Sequence, residues 1–562
     1  MISTTLDRRI GRSTLAVAGV LVGVATLLPV VAVVIAAARS GTPNSPGASW
    51  TLSGLKQVYT TDLIVKPLLG TLKTSVPATA IALVLGVTFA WLVARTDMAT
   101  RPVLERIILA PVYFSPLAIA VGWITVYAPH TGLLSEILKL DFTDVYSTTT
   151  ITLFIGLSFA PYVYLVSVGA LHDMDAGFED AAAILGTKAI RRFWSITIPM
   201  LRPQLLASSL LVFTQSTAMF AEPLIFGARF GFTNLPIAIY SQINSYPYNY
   251  SLATAISTTM LIISLIGLAI YWRALQRVDR FVSAQGRGFS NRRTNLGKLR
   301  WPAAGLMWAY LLAAILLPAA GLLLTSLRPF LSPKFEWSTL GGKQWRTTFD
   351  DPAVVHSIYN TVVLATGVAT GAVLIGFLVS YYVVRRPLPF ARILDGVSIL
   401  PIGLPNLVLG VGFVWAYLAL PKGVYGTSWS LGLALFTIVI PQAIRTLEAS
   451  LRQIGRQPEE AAAILGAGTG RTMLRIAFPM VRSSLLSTWL FVFLLVSIQV
   501  SVPLILRTPG NDVLAVSLWA AVTESGNLPV GSVIALIQGL LSAVVVLVAL
   551  AVGRNRRLAA TL

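Results

Sequence analysis

Twelve apolar runs, each long enough to cross a bilayer as a helix, recur along the 562 residues and leave little chain for anything else. They lie near 14–38, 68–94, 106–127, 148–171, 204–227 and 251–272. A second set lies near 301–326, 358–384, 393–419, 429–449, 484–506 and 529–553. A helical span needs roughly 20 apolar residues, and inside lipid a chain satisfies its backbone only as helices or closed barrels. Composition agrees, with 55% hydrophobic and 11% charged residues, where a soluble domain carries about 25% charged. The expected fold is an all-α polytopic membrane protein of about 12 transmembrane helices. The first run is too long, and lacks the small-residue cleavage site, to be a removable signal, so it is expected to remain as a span.

Charge sets the expected orientation. Thirty of the 42 Lys and Arg fall in alternate segments: the N-terminus, the 95–106, 188–202, 385–392 and 445–482 regions, the stretch 273–300, and the C-terminus. By the positive-inside rule these segments, and both termini, are expected in the cytoplasm of a bacterial inner membrane. The net charge of +20 is thus a topology signal. Basic residues dispersed over short loops form no nucleic-acid patch, and no nucleic-acid partner is expected. The chain has no Cys and three scattered His (His130, His172, His356), which offer no metal cluster.

The chain also repeats. From Glu179 it reads E-D-A-A-A-I-L-G, and from Glu459 it reads E-E-A-A-A-I-L-G. Over the 24 positions that start there, 12 are identical at a constant offset of 280. Pro223-Leu224-Ile225 and Pro503-Leu504-Ile505 keep the same offset. Residues 1–272 and 301–562 then form two six-span halves, joined by a basic linker at 273–300. Six is even, so the repeat is parallel. Each copy reads as a short helix with acids in its first turn, stopped at Gly186 or Gly466. Helices this short are marginal alone, and the alanines offer a thin surface for close approach by another protein. Thr187 and Thr469 are placed to cap a further helix, and Pro199 and Pro479 to precede the next span. Ile190, Phe193, Trp194 and Thr197 against Lys188, Arg191 and Arg192 make an interfacial amphipathic pattern.

These loops resemble the E-A-A-x-x-x-G-x9-I-x-L-P signature of permease subunits of bacterial binding-protein-dependent ABC importers. The matching residues are Asp180, Ala181, Ala182, Gly186, Ile196 and Pro199, then Glu460, Ala461, Ala462, Gly466, Ile476 and Pro479, with Glu179 and Glu459 just before them. Asp180 replaces Glu, and Ile198 and Phe478 replace Leu. The resemblance implies a type I importer permease-like fold whose two loops dock on two copies of a cytoplasmic ATPase, with an external solute-binding protein on the other side. ATP and Mg would be bound by that ATPase. This chain carries no G-x4-G-K-[ST] phosphate loop: Lys298 and Lys343 follow Gly but precede Leu and Gln. The chain is therefore expected to be a translocation subunit, without a cofactor and not an enzyme. The two-half form, with Ser501–Leu506 through Trp519 and Gly526, is most similar to the ferric-iron transport group, whose relatives handle thiamine, phosphonates and polyamines. A twelve-span ion-coupled secondary transporter is the rival reading, and a membrane scaffold or receptor a third.

Four polar residues are candidates for the pathway. Glu222 is read about 18 residues into the fifth span; it either lines a cation path or sits at headgroup level beside Pro223. Gln215 and Gln499 hold helices together or contact solute. Asn406, with Pro401 and Pro405, marks either a broken helix near a pathway or a simple kink. The segment Tyr240–Tyr250 is an interfacial aromatic belt or a contact for the binding protein.

Overall fold

The computed structural model describes residues 2–42, 45, 48–138, 144–174, 177–278, 294–331, 336–385, 389–420 and 423–559. Among these residues the chain is helical, with two isolated bridges (Arg39 with Trp50, Thr96 with Thr294) and no strand. Among the described residues ten helices are long and apolar enough to span a bilayer, and the number rises to twelve where each of two bent pairs is counted as one span. Residues 279–293 of the expected linker lie outside the described residues. The helix Tyr250–Val278 runs past the expected boundary at 272, and the next candidate span is Gly297–Ser326.

Four spans depart from the simple reading. The third and ninth are broken: Arg101–Tyr113 meets Pro116–Tyr127 at 99°, and Ile393–Gly403 meets Asn406–Leu418 at 112°. Ser115 and Leu404 sit at the breaks in extended backbone, each followed by a proline, which disfavours the helical conformation of the residue before it. A break, not a simple kink, therefore lies just before Asn406, which opens the second leg. The fifth and eleventh spans end early. Their helices stop at Thr217 and Ser497, and short helices Ala221–Gly227 and Ser501–Ile505 restart after the break.

The two halves exchange their opening helices. Ile2–Ala37 packs against Asn406–Leu418 of the second half, while Leu317–Ser326 packs against Pro116–Tyr127 of the first. Lipid gives no hydrophobic drive between helices, so close approach of small residues must hold such contacts. A Cβ on Gly122 would meet the Pro318 carbonyl oxygen at 2.7 Å, and one on Gly412 would strike the carbonyl of Pro29. Hydrogen bonds follow the exchange: Tyr310 donates to the Leu157 carbonyl at 3.0 Å, and Thr437 to that of Ala25 at 3.1 Å. Leu15, Ala18, Val22 and Ala25 line the buried face of the first helix, whereas Val17, Val20, Leu21 and Val24 face outward. The sequence halves are thus not separate packing units.

These contacts also define two faces of the molecule. At one end of Gly297–Ser326, Thr294 and Arg300 bond to the backbone of 95–99. At the other, Arg328 pairs with Glu136 at 3.0 Å, both essentially buried. Burial pushes the Glu136 carboxyl up, and the Arg328 guanidinium pulls it back down. The first bent pair therefore crosses the full thickness. The face that carries Arg95 and Arg300 is called the loop face below, and the face of Arg328 the far face.

Candidate functional site

Both Ala-rich segments fold as eight-residue helices, Gly177–Ile184 and Gln457–Ile464. Asp180 and Glu460 stand in their first turns. Each helix ends as its glycine demands, with Gly186 at φ +80° and Gly466 at φ +79°. The Gly186 amide donates to the Ala183 carbonyl at 3.0 Å and that of Thr187 to Ala182 at 3.1 Å. Gly466 and Ala467 repeat this on Ala463 and Ala462 at 3.1 and 2.9 Å. This crossed pair is a Schellman stop, which satisfies carbonyls the helix leaves open. The capping expected of the two threonines is not what the loops use: the Thr187 hydroxyl turns back to the Ala182 carbonyl, and Gly468 holds the cap position before Thr469.

The chain then re-enters helix and widens into one π turn, Phe193–Thr197 or Met473–Ala477. Ile196 and Ile476 sit half-buried in these turns. The wider turn absorbs Pro199 and Pro479, which lack an N–H to donate. The prolines consequently lie inside long helices, not ahead of them. Trp194 is exposed while Phe193 packs edge-on to Trp91 at 5.2 Å, so the amphipathic pattern of the first copy partly turns inward.

The outward surface of the loops is larger than alanine. Ile184 and Leu185 are 81% and 83% exposed, and Ile464 and Leu465 are both 86% exposed. Ala181 and Ala461 are exposed beside them, but Ala182 is half-buried and Ala462 is buried. The thin alanine face expected there is split, with one alanine packing home and an Ile-Leu pair projecting into solvent. Two matched apolar knobs thus project from the two loops.

One arginine fixes each loop from inside. Arg95, the last residue of Val65–Arg95, has its Nε 3.4 Å from Glu179 and donates through Nη2 to the Met174 carbonyl at 3.1 Å. Arg385, the last residue of Pro352–Arg385, has its Nε 3.0 Å from Glu459 and donates to the Ile454 carbonyl at 2.9 Å. The second carboxylate oxygen accepts from Thr197 at 2.6 Å in the first half and from Tyr381 at 3.4 Å in the second. Sequence reasoning missed both arginines. They are 290 residues apart while the loops are 280 apart, so a gapless repeat misaligns them.

The polar pathway candidates do not converge. Gln215 is half-buried near a helix end, and Gln499 lies in the break after Ser497, not inside a span. Glu222 opens the short helix Ala221–Gly227 instead of sitting deep in a continuous one, and it is 7% exposed. Its counterpart Val502 is fully buried. Leu224 and Ile225, on the helix of Glu222, line a far-face cavity of about 480 Å³. Tyr146, Arg229 and Tyr240 close it from the first half, and Trp519, Thr523 and Glu524 from the second. Arg229 lies 4.0 Å over the Tyr146 ring, and Arg507 holds Glu524 at 2.8 Å and Asp512 at 3.0 Å. A second, apolar cavity of about 70 Å³ sits at the break of the first bent pair, against Met219 and Ile498. Gln538, unremarked in the sequence, is fully buried and donates to the Ser497 carbonyl at 3.0 Å beside that break. Tyr246 and Tyr248 of the aromatic segment are exposed.

Twin loops on one face, exchanged helices and a cavity at the seam between halves define a two-part, all-helical membrane protein. The chain belongs to the family of binding-protein-dependent transport system inner membrane components, whose model matches it twice, over residues 74–280 and 372–558. It is a multi-pass permease component of that family. A ferric transport system permease protein of Actinobacillus pleuropneumoniae is 24% identical over 77% of this chain and 63% of its own length. A putative ferric transport system permease protein of Haemophilus influenzae is 24% identical over 81% of this chain and 72% of its own. A spermidine/putrescine transport system permease protein of Escherichia coli is 26% identical over 42% of this chain and 89% of its own. This chain therefore spans somewhat less than two thirds of the first of these relatives and more of the second.

Proposed function

We propose that this chain is the membrane-spanning permease subunit of an ATP-driven importer. The loop face lies in the cytoplasm with both termini, and each Ile-Leu knob seats in a groove of one ATPase subunit, which binds ATP and Mg. An external solute-binding protein delivers its cargo to the far-face cavity. Ferric iron is the solute we assign, because the relatives that align over both halves are ferric transport permeases. Glu222 supports passage of a cation by placing a carboxylate one turn from the cavity lining. Gln215, Asn406 and Gln499 stand at helix ends or breaks, where the path must open and close.

The observation that carries the reading is the twinned exposure of Ile184-Leu185 and Ile464-Leu465 on one face. It also separates the importer from an ion-coupled carrier, which has no motor to receive these knobs. The test is reconstitution of this chain with a candidate ATPase and solute-binding protein from the same organism. Replacing all four knob residues by Asp is expected to abolish ATPase association and ATP-dependent iron uptake while the chain still inserts and folds. Association that survives the four substitutions, or uptake driven by an ion gradient without any ATPase, would overturn the proposal.

A further inference from the structure

A loop that receives force needs a stiff route into the membrane, and the short loop helices offer few routes. Their tips are bare, and Gly186 and Gly466 follow in left-handed backbone. On the other side of each helix stands one buried ionic contact. Arg95 and Glu179 are 10% and 14% exposed, and Arg385 and Glu459 are 5% and 12% exposed. Each arginine holds two points of the loop at once: the glutamate at the helix's first turn, and the carbonyl five residues earlier. Two-point attachment by a planar guanidinium resists rotation as well as separation.

The arginines also end the right helices. Val65–Arg95 packs along Thr148–Asp173, and Pro352–Arg385 packs along Ser428–Gln453 and Phe478–Ser497. At their far ends the same two helices reach the seam that holds the cavity: Thr71 accepts from the Leu235 amide at 3.0 Å, and Thr361 from the Leu514 amide at 2.7 Å. Leu235 opens the helix of Tyr240, and Leu514 opens the helix of Trp519, both lining residues of that cavity. Each half thus repeats one line of contacts: loop helix, glutamate, arginine, a 31- or 34-residue helix, threonine, cavity wall.

The geometry points to Arg95 and Arg385 as the positioning residues through which loop movement reaches the cavity, with helices Val65–Arg95 and Pro352–Arg385 as the levers. This rests on the ATPase docking proposed above and adds the route inward. A tie of this kind is rigid in compression and in tension, because buried charges separate only at the cost of an unpaired ion in a poorly solvated site. Thr197 and Tyr381 hold the glutamate side of each tie, so the arginine side is where the tie can be cut without altering the docking surface.

The experiment uses the full chain with its ATPase and binding protein in vesicles, and compares Arg385→Met, Arg385→Glu, Glu459→Arg and the exchanged pair R385E/E459R, with the same set at Arg95 and Glu179. The expected result is that ATPase association stays at the unsubstituted level in the arginine variants, while the stimulation of hydrolysis by loaded binding protein falls about tenfold in all the single variants. The exchanged pairs are expected to restore stimulation, which a merely structural loss would not allow. Stimulation and uptake that remain unchanged in Arg385→Met and Arg95→Met, with ATPase still bound, would overturn this inference and leave the docking proposal standing. Exchanged pairs that fold, bind ATPase and stay uncoupled would overturn it too. Loss of association in the knob variants, measured in parallel, tests the docking reading by itself.

Discussion

The two halves solve one mechanical problem with different residues. In the second half the free oxygen of Glu459 is held by Tyr381, from the helix that also supplies the arginine. In the first half Trp91 stands at the matching place, 290 residues earlier, and has no hydroxyl. There Thr197, from the helix after the loop, supplies the hydrogen bond, and its own counterpart in the second half is Ala477. The function conserved between halves is a doubly held glutamate, and the partner has moved from one neighbouring helix to another. The first loop has a further tie. Arg192 reaches Thr294 at 3.4 Å, and the Thr294 amide donates to the Arg95 carbonyl at 2.8 Å. The chain entering the second half is thereby pinned to the loop of the first.

The largest effects are expected where the halves agree. Gly412→Leu drives a side chain into the Pro29 backbone, and Gly122→Leu does the same at Pro318. Overpacking of this kind costs about 1–3 kcal/mol, read as a lower Tm in detergent, with Gly412→Leu the more damaging because its neighbour is closer. Equal Tm values for both variants and the unsubstituted chain would break the view that helix exchange holds the halves together. Intermediate effects are expected at the divergent partners. Thr197→Val removes a short bond to a carboxylate, worth about 1.5 kcal/mol, and is expected to exceed Tyr381→Phe, whose bond is longer. Faster hydrogen exchange in Gly177–Ile184 or Gln457–Ile464 reports each. Adding Ala477→Thr to Tyr381→Phe should recover the protection, and failure to do so would show that the two partners are not interchangeable. The smallest effect belongs to Thr294→Ala, expected to loosen the first loop by less than about 1 kcal/mol and to leave exchange in the second unchanged.

Much of this architecture is visible in the residues. Span number, two halves, loop helices and their stops at Gly186 and Gly466 follow from hydropathy, a 280-residue offset and glycine chemistry. The broken spans are less visible, because an apolar run reads alike whether it is straight or bent at Ser115 or Pro405. Exchange of the opening helices has no local signature, since Gly122 and Gly412 become contacts only when a distant proline is brought to them. The arginine ties are hidden for a metrical reason. The connection between the third and fourth spans differs by ten residues between halves, so Arg95 and Gly122 repeat at 290 whereas the loops repeat at 280. Glu222 was conspicuous as a buried acid, but its depth could not be read without knowing that the helix stops at Thr217.

The exchanged helices carry a consequence for biosynthesis. Helix Gly297–Ser326 emerges after its seat at Pro116–Tyr127 has been made, and can settle at once. Helix Ile2–Ala37 can meet Tyr250–Val278 earlier, but its seat in the second half is not made until Gly412 leaves the ribosome, 383 residues after Pro29. At about 5–20 residues per second the nascent N-terminal segment waits some 20–80 s in the bilayer. During that interval its Leu15–Ala25 stripe faces lipid, and a translocon, insertase or chaperone has its one opportunity to hold it.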